Sequence, residues 1–159
     1  MSTYSEEADR AELETAEVTG ANMVNARLTG ADLRGADLTA AVLAEAHLER
    51  ANLADVNLTD AFLWRARLQQ ADIQRGRLNR AVLAEAHLEG ASLADAHLQG
   101  AILGGAHMSG TDLRGAHLEG AVLTSAIGLT RKQVQSAYVD SSTKLPRYLH
   151  WEEPKSSAA

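Results

Sequence analysis

The sequence has no cysteine, little aromatic content, no long apolar run and no excess of positive charge. Each absence excludes something. Without cysteine there is no disulfide framework, no thiolate nucleophile and no thiolate metal site. Aromatic residues make up 4% of the 159-residue chain although 45% of it is apolar. Alanine and leucine supply most of that apolar content, so a narrow core filled many times over in the same way is expected rather than a wide globular one. No apolar run is long enough to span a membrane. The polar, acidic stretch from Met1 to Arg10 reads neither as a signal peptide nor as a transit peptide, so a soluble cytoplasmic protein is the expectation. A formal charge of −6 argues against direct nucleic-acid binding. There is no glycine-rich phosphate loop, no nucleophile elbow and no HExxH pair of zinc ligands. An enzyme is therefore not expected, and neither is a cofactor or a resident metal.

What is present is a repeat with a period of five. Apolar centres recur every five residues from Leu13 to Leu123; of these 23 positions 19 are Leu, the others being Val18, Met23, Ile73 and Met108. Two residues before each centre stands a small residue, from Ala11 through Ala126; of these 24 positions 21 are Ala, the exceptions being Val56, Gly76 and Thr111. A period of five matches neither a helical stripe nor simple strand alternation. It fits a short strand with the small residue and the centre pointing inward, one residue between them pointing outward, and two residues turning the chain. Nine of the second corner residues are Gly, as at Gly35 and Gly100. That choice suits a corner requiring positive φ. If each repeat turns a right angle, four repeats close a square of 20 residues.

Longer identities test that closure. The run Ala41 to Glu49 recurs intact at Ala81 to Glu89, an offset of two such squares. Asp32 to Ala36 recurs at Asp112 to Ala116, an offset of four. Outward residues have no reason to keep a 20-residue register unless they stack.

On Ala31-Asp32-Leu33-Arg34-Gly35, Ala36-Asp37-Leu38 and Ala51-Asn52-Leu53 the chain resembles the pentapeptide-repeat proteins, whose motif is written A(D/N)Lxx. The resemblance implies an all-β fold, a right-handed quadrilateral parallel β-helix of about six coils. Parallel rungs lie roughly 4.8 Å apart, so the rod should be about 25–30 Å long. The expected organisation is a flexible segment over 1–10, the β-helix over 11–127, a C-terminal cap and apolar tail over 128–151, and a flexible terminus over 152–159. Thr130 and Gln133 form a capping box flanked by Leu129 and Val134 as a staple, which predicts a short capping helix over 131–139.

Stacked at 20-residue steps, the outward residues sort into four columns. One is apolar: Asn22, Val42, Phe62, Val82, Ile102, Val122. The next outward residues on the same face are Val24, Ala44, Trp64, Ala84, Gly104 and Thr124. A contiguous apolar strip of this kind marks an interface. Val42, Ala44, Phe62, Trp64, Val82, Ala84, Ile102 and Val122 are therefore the candidate partner-binding residues, for homodimerisation or for docking another protein. The other reading of the strip is cover by the chain's own apolar tail, which holds Leu145, Pro146, Tyr148, Leu149 and Trp151.

A second column is acidic in alternate coils: Glu12, Asp32, Asn52, Asp72, Ser92, Asp112. The family's quinolone-resistance group resembles duplex DNA in shape and charge and binds DNA gyrase or topoisomerase IV, so a DNA-mimicking modulator of a type II topoisomerase is the alternative function. Duplex DNA carries a charge about every 1.7 Å, whereas Arg65, Arg67, Arg75, Arg77 and Arg80 put a basic belt around the middle coils. The two remaining columns carry histidine, with His87 over His107 and His97 over His117. Glu89 is a possible third ligand beside the first pair, but a surface histidine ladder is the preferred reading.

Overall fold

Five residues suffice for one extended step and one tight turn, and the chain repeats that unit along its length. The computed structural model describes residues 14–149. Each corner is a β-turn, closed for example by the Ala36 amide donating to the Leu33 carbonyl at 3.1 Å. The residue before that amide is left-handed at every corner from Thr15 to Ser125, with φ between 54° and 70°. Nine of these corners are Gly and 14 are not, so glycine marks only a minority of the positions that need this backbone.

Four turns bring the chain round to a parallel bridge with the residue 20 positions earlier. The bridges run without a gap from Glu17↔Asp37 to His107↔Ile127. Around one rung, Leu33 N–H donates to Asn52 O at 2.8 Å, Asn52 N–H to Ala31 O at 2.9 Å, and Gly35 N–H to Ala54 O at 2.9 Å. With the turn bond, four of the five amides in a repeat are satisfied by backbone. The fifth belongs to the residue after the centre. Where the outward residue is Asp or Asn, its side-chain oxygen accepts that amide, as Asp32 does from Arg34 at 3.2 Å and Asp37 from Thr39 at 3.0 Å. Asn52, Asp72 and Asp112 do the same. The motif A(D/N)Lxx thus divides the labour within a repeat. Ala and Leu fill the bore, while Asp or Asn satisfies the amide that the backbone leaves over.

The bore is dry. The stacked Leu and Ala residues from Ala31 to Leu123 are almost wholly inaccessible, and each Leu contributes roughly 1.5–3 kcal/mol by its burial. The one glycine at an inward small position, Gly76, has a local cause. A Cβ there would lie 2.9 Å from Ile73 Cγ2 and 3.3 Å from Leu78 Cδ1. The branch of Ile73 fills the space that alanine occupies elsewhere.

The C-terminal end is closed by the chain itself. Helix α1 (Arg131–Gln135) begins at Thr130 with the expected capping box. It is shorter than the 131–139 span read from the sequence. The chain must leave the helix so that Tyr138 can bridge His117 and Lys144 can bridge Val122. The offsets widen from 20 to 21 and then 22 residues as the helix replaces one rung. Gln133 Nε2 donates to the Met108 and Thr111 carbonyls at 2.8 and 2.9 Å. Tyr148 Oη donates to Ala126 O at 2.7 Å. Leu129 and Leu149 are buried over the last coil, and Leu145 packs against it. The tail therefore lies on the end of the rod. Among the described residues no helix is long and apolar enough to cross a membrane. The expectations for 1–10, Trp151 and 152–159 lie outside the described residues.

The corners and the bore each carry a consequence for stability. Ala40 holds φ at 56°, which costs an alanine about 1–2 kcal/mol, while glycine carries an entropic penalty of about 0.5–1 kcal/mol. Ala40→Gly should therefore raise stability by about 0.5–1 kcal/mol in urea denaturation, and a lower midpoint would contradict the corner geometry. Gly76→Ala should lower stability by about 1–3 kcal/mol through overpacking. Adding Ile73→Leu should recover most of that loss.

Candidate interaction surface

The bridges place Asn22, Val42, Phe62, Val82, Ile102 and Val122 in one vertical column, one residue per coil. Numbered in chain order, these six rungs are coils 1 to 6. Phe62 and Ile102 are 40% and 42% exposed, and Val42, Val82 and Val122 are half-buried. On the same face Val24 is exposed, Ala44 is buried, and Trp64, Ala84 and Gly104 are half-buried. The strip is thus shallow at coil 2, prominent at coil 3 and shallow again at coil 4. The C-terminal tail meets this face at coil 6, where Lys144 pairs with Val122 and residues 145–148 share a pocket with Thr124, while Phe62 and Ile102 remain exposed with the tail in place. Cover by the tail, the other reading of the strip, is not what residues 128–149 do.

Trp64 is held in place. The Arg65 guanidinium sits 4.5 Å from the Trp64 ring centroid, and its Nε donates to Glu85 at 2.8 Å, one coil above. Such a contact attracts the cation to the ring face. Sequence reasoning did not find Arg65 and Glu85 as supports of Trp64. The signal was available in their 20-residue separation, which makes them vertical neighbours.

The same rule pairs much of the basic belt, Arg77 excepted. Arg75 pairs with Asp55, and Arg80 with Asp60, each through two hydrogen bonds between 2.8 and 3.0 Å. Arg67 pairs with Glu49 at 2.8 Å. In the acidic column Asp32 and Asp112 are each grasped by the arginine two residues on, Arg34 and Arg114. Glu12 lies outside the described residues. Acid and base are therefore interleaved around the rod, and exposed pairs of this kind contribute little stability individually.

These contacts set a direction for several carboxylates. Hydrogen bonds from Arg34 and Arg114 hold the Asp32 and Asp112 carboxyls below the usual carboxylate range. Arg75 and Arg80 act likewise on Asp55 and Asp60. The Thr39 hydroxyl and amide do so for Asp37. A carboxyl lowered in the folded state supports folding fully above its ordinary value, and that support is lost as pH falls through the folded value. The melting temperature should therefore fall modestly below about pH 4, and an unchanged melting temperature down to about pH 2.5 would exclude this linkage.

The histidine columns are also stacked. The His87 and His107 ring centroids are 4.6 Å apart, and those of His97 and His117 are 5.0 Å apart. Tyr138 from the cap stacks on His117 at 4.7 Å. Glu89 lies beside His87 and His107, and Glu119 beside His117.

Comparison with known proteins agrees with this geometry. No curated protein matches the sequence. Among solved structures, the pentapeptide repeat protein Rfr23 from the cyanobacterium Cyanothece 51142 is 32% identical, with a TM-score of 0.50 over 62% of this chain and 63% of that one. HetL, a pentapeptide repeat protein involved in heterocyst differentiation regulation from the cyanobacterium Nostoc sp. strain PCC 7120, is 31% identical, with a TM-score of 0.37 over 76% of this chain and 63% of that one. The chain spans under two thirds of the length of both relatives. QnrB1, a plasmid-mediated fluoroquinolone resistance protein, is 20% identical, with a TM-score of 0.32 over 90% of each chain. The profile of the pentapeptide repeats matches in eight copies, over segments that run from residue 9 to residue 127. The chain belongs to the pentapeptide repeat family, whose members fold as right-handed quadrilateral β-helices.

Proposed function

We propose that this chain is a non-enzymatic scaffold that pairs with a second copy of itself through the apolar strip, the two rods lying antiparallel. The observation that carries this reading is the self-complementarity of the face about its midpoint. Consider a two-fold axis in the plane of contact, perpendicular to the rods and midway between coils 3 and 4. It sets coil 3 against coil 4 of the partner, coil 2 against coil 5 and coil 1 against coil 6, which overlaps the whole strip.

Size is matched under that operation. Trp64 meets the partner's Ala84, Phe62 meets the partner's Val82, and the shallow surface at Ala44 meets the partner's Gly104. Charge is matched as well. On one flank Asp60 faces the partner's Arg80, and on the other Arg65 faces the partner's Glu85. A parallel pairing also matches charge, but it sets Phe62 and Trp64 of coil 3 on their own counterparts and leaves coil 4 underfilled. Large residues against small ones favour the antiparallel arrangement, since packing at an interface core resembles that of an interior. The interface is isologous, as a two-fold dimer requires, with aromatic anchors at its centre where hot spots concentrate.

The DNA-mimic reading needs dense negative charge along a face. Here Asp32, Asp55, Asp60 and Asp112 are each matched by an arginine, and Asn52 and Ser92 interrupt the acidic column. Those pairs support the docking reading over the mimic. Inhibition of gyrase supercoiling by stoichiometric protein would reverse that preference.

Light scattering of the purified protein should return twice the chain mass. Phe62→Asp combined with Trp64→Asp should return the single-chain mass with an unchanged far-ultraviolet spectrum. A double variant that retains the wild-type mass would sink the assignment. A spin label on Ser125→Cys then reads the orientation. Antiparallel rods place the two labels about five rungs apart, roughly 24 Å along the axis, whereas parallel rods place them in the same rung.

A further inference from the structure

Glu89 stands in a column whose other acid is fully engaged. Glu49, two coils below, receives Arg67 at 2.8 Å and the Thr29 hydroxyl at 3.1 Å. Glu89 has no arginine and no hydroxyl. Its Oε1 lies 3.4 Å from His87 Nδ1 and 3.8 Å from His107 Nδ1, and its Oε2 is inaccessible with no hydrogen-bond partner. One rung below, Gln69 Oε1 is likewise inaccessible and unpartnered. Glu89 Oε1 therefore faces two stacked imidazoles while its Oε2 is buried without a donor, and Gln69, His87 and His107 line one groove.

An unpartnered carboxylate oxygen held away from water is destabilising until something positive reaches it. The neighbouring cation in the His column, Arg67, is already engaged by Glu49 in the opposite direction along the rod. The two imidazoles offer ring nitrogens on the same side. The donor atoms of His87, Glu89 and His107 all lie within 4.8 Å of one another. Nitrogen and carboxylate donors bind zinc at about 2.0–2.2 Å, which puts the edges of a tetrahedron at roughly 3.3–3.6 Å. The observed separations of 3.4 and 3.8 Å from Glu89 Oε1 are close to such edges, and half-exposed imidazoles can tilt to complete the convergence.

We propose that His87, Glu89 and His107 form a binding site for a divalent cation of the zinc, nickel or copper class. Two imidazoles with one carboxylate suit these borderline metals better than calcium or magnesium, which prefer all-oxygen shells. A fourth position would be left to water or to another ligand. The site is local to coils 4 and 5. At coils 2 and 3 Arg67 takes the place of a second imidazole and claims the carboxylate. At the other histidine pair Gln99 stands where Glu89 stands here, and Glu119 lies beside His117 with the Tyr138 ring, not a second imidazole, stacked above it. Among the described residues no other group of three such side chains is close enough to hold an ion.

The test is zinc chloride titrated into untagged full-length protein, followed by calorimetry and by thermal melting. Wild type should bind one equivalent saturably and melt at a higher temperature with zinc than without it, because a ligand specific to the folded state stabilises it. His107→Gln and Glu89→Gln should each lose both the saturable heat and the melting shift while retaining the far-ultraviolet spectrum. His97→Gln, in the other stacked pair, should keep both. No saturable binding by the wild type at millimolar zinc would overturn the proposal. So would binding that survives His107→Gln or disappears with His97→Gln.

Discussion

One backbone dihedral organises this molecule. Every fifth residue from Thr15 to Ser125 holds φ near +60°, and that left-handed step turns the chain through a corner. Because it recurs without exception, the coil closes after 20 residues. Closure then makes the parallel bridges possible, and the bridges place the outward side chains in register. Nine corners are glycine, which takes this conformation without steric cost, and the strain is borne by the 14 that are not. Such strain persists only where the surrounding structure over-determines it. Here the determinants are the Leu and Ala stack inside and the inter-coil hydrogen bonds that flank most of the corners.

With the register fixed, the surface chemistry follows from vertical neighbours rather than from neighbours in sequence. Arg75 reaches down to Asp55 and Arg80 to Asp60, whereas Arg65 reaches up to Glu85. A protein built this way places recognition groups on a ruled lattice, in which a column can be apolar, acidic or imidazole-bearing while the bore stays unchanged. Each rung contacts mainly the rung above and the rung below, so stability is close to a sum of neighbour terms. Changes on one face are then expected to leave the fold intact.

The sequence made much of this legible and left some of it hidden, for identifiable reasons. Closure could be read because inward positions admit almost nothing except Leu and Ala, and because runs such as Ala41 to Glu49 repeat at multiples of 20 residues. The stacking of Val42, Phe62, Val82, Ile102 and Val122 comes from the same arithmetic. Ten of the 14 left-handed corners without glycine could not be read from residue type, since residues such as Glu, Arg and Gln carry no local preference for that conformation, whereas Asn25, Asp55, Asp60 and Asp95 are of types that favour it. The end of α1 at Gln135 was hidden because Tyr138 and Lys144 are recruited by open edges of a coil distant in sequence. The path of the tail was hidden for a related reason. Leu145 and Leu149 could have covered either apolar surface, and it is the exposed end of the bore that takes them. The pairing that holds Trp64 was implicit in the register, yet Arg65 read as part of a cationic belt when counted by charge alone.

The closure of the last coil has a consequence for assembly. A β-helix that simply stopped would present four short edges of unpaired amides and carbonyls, and the first coil of another molecule is a ready match for them. Here α1 displaces one rung, Gln133 occupies two of the carbonyls, and Tyr138 and Lys144 fill two further sides at offsets that no longer equal 20. The register is thereby broken at the tip, so a coil arriving from another copy finds no continuing template. The described C-terminal end therefore offers no rung at the 20-residue spacing on which a second rod could extend the first.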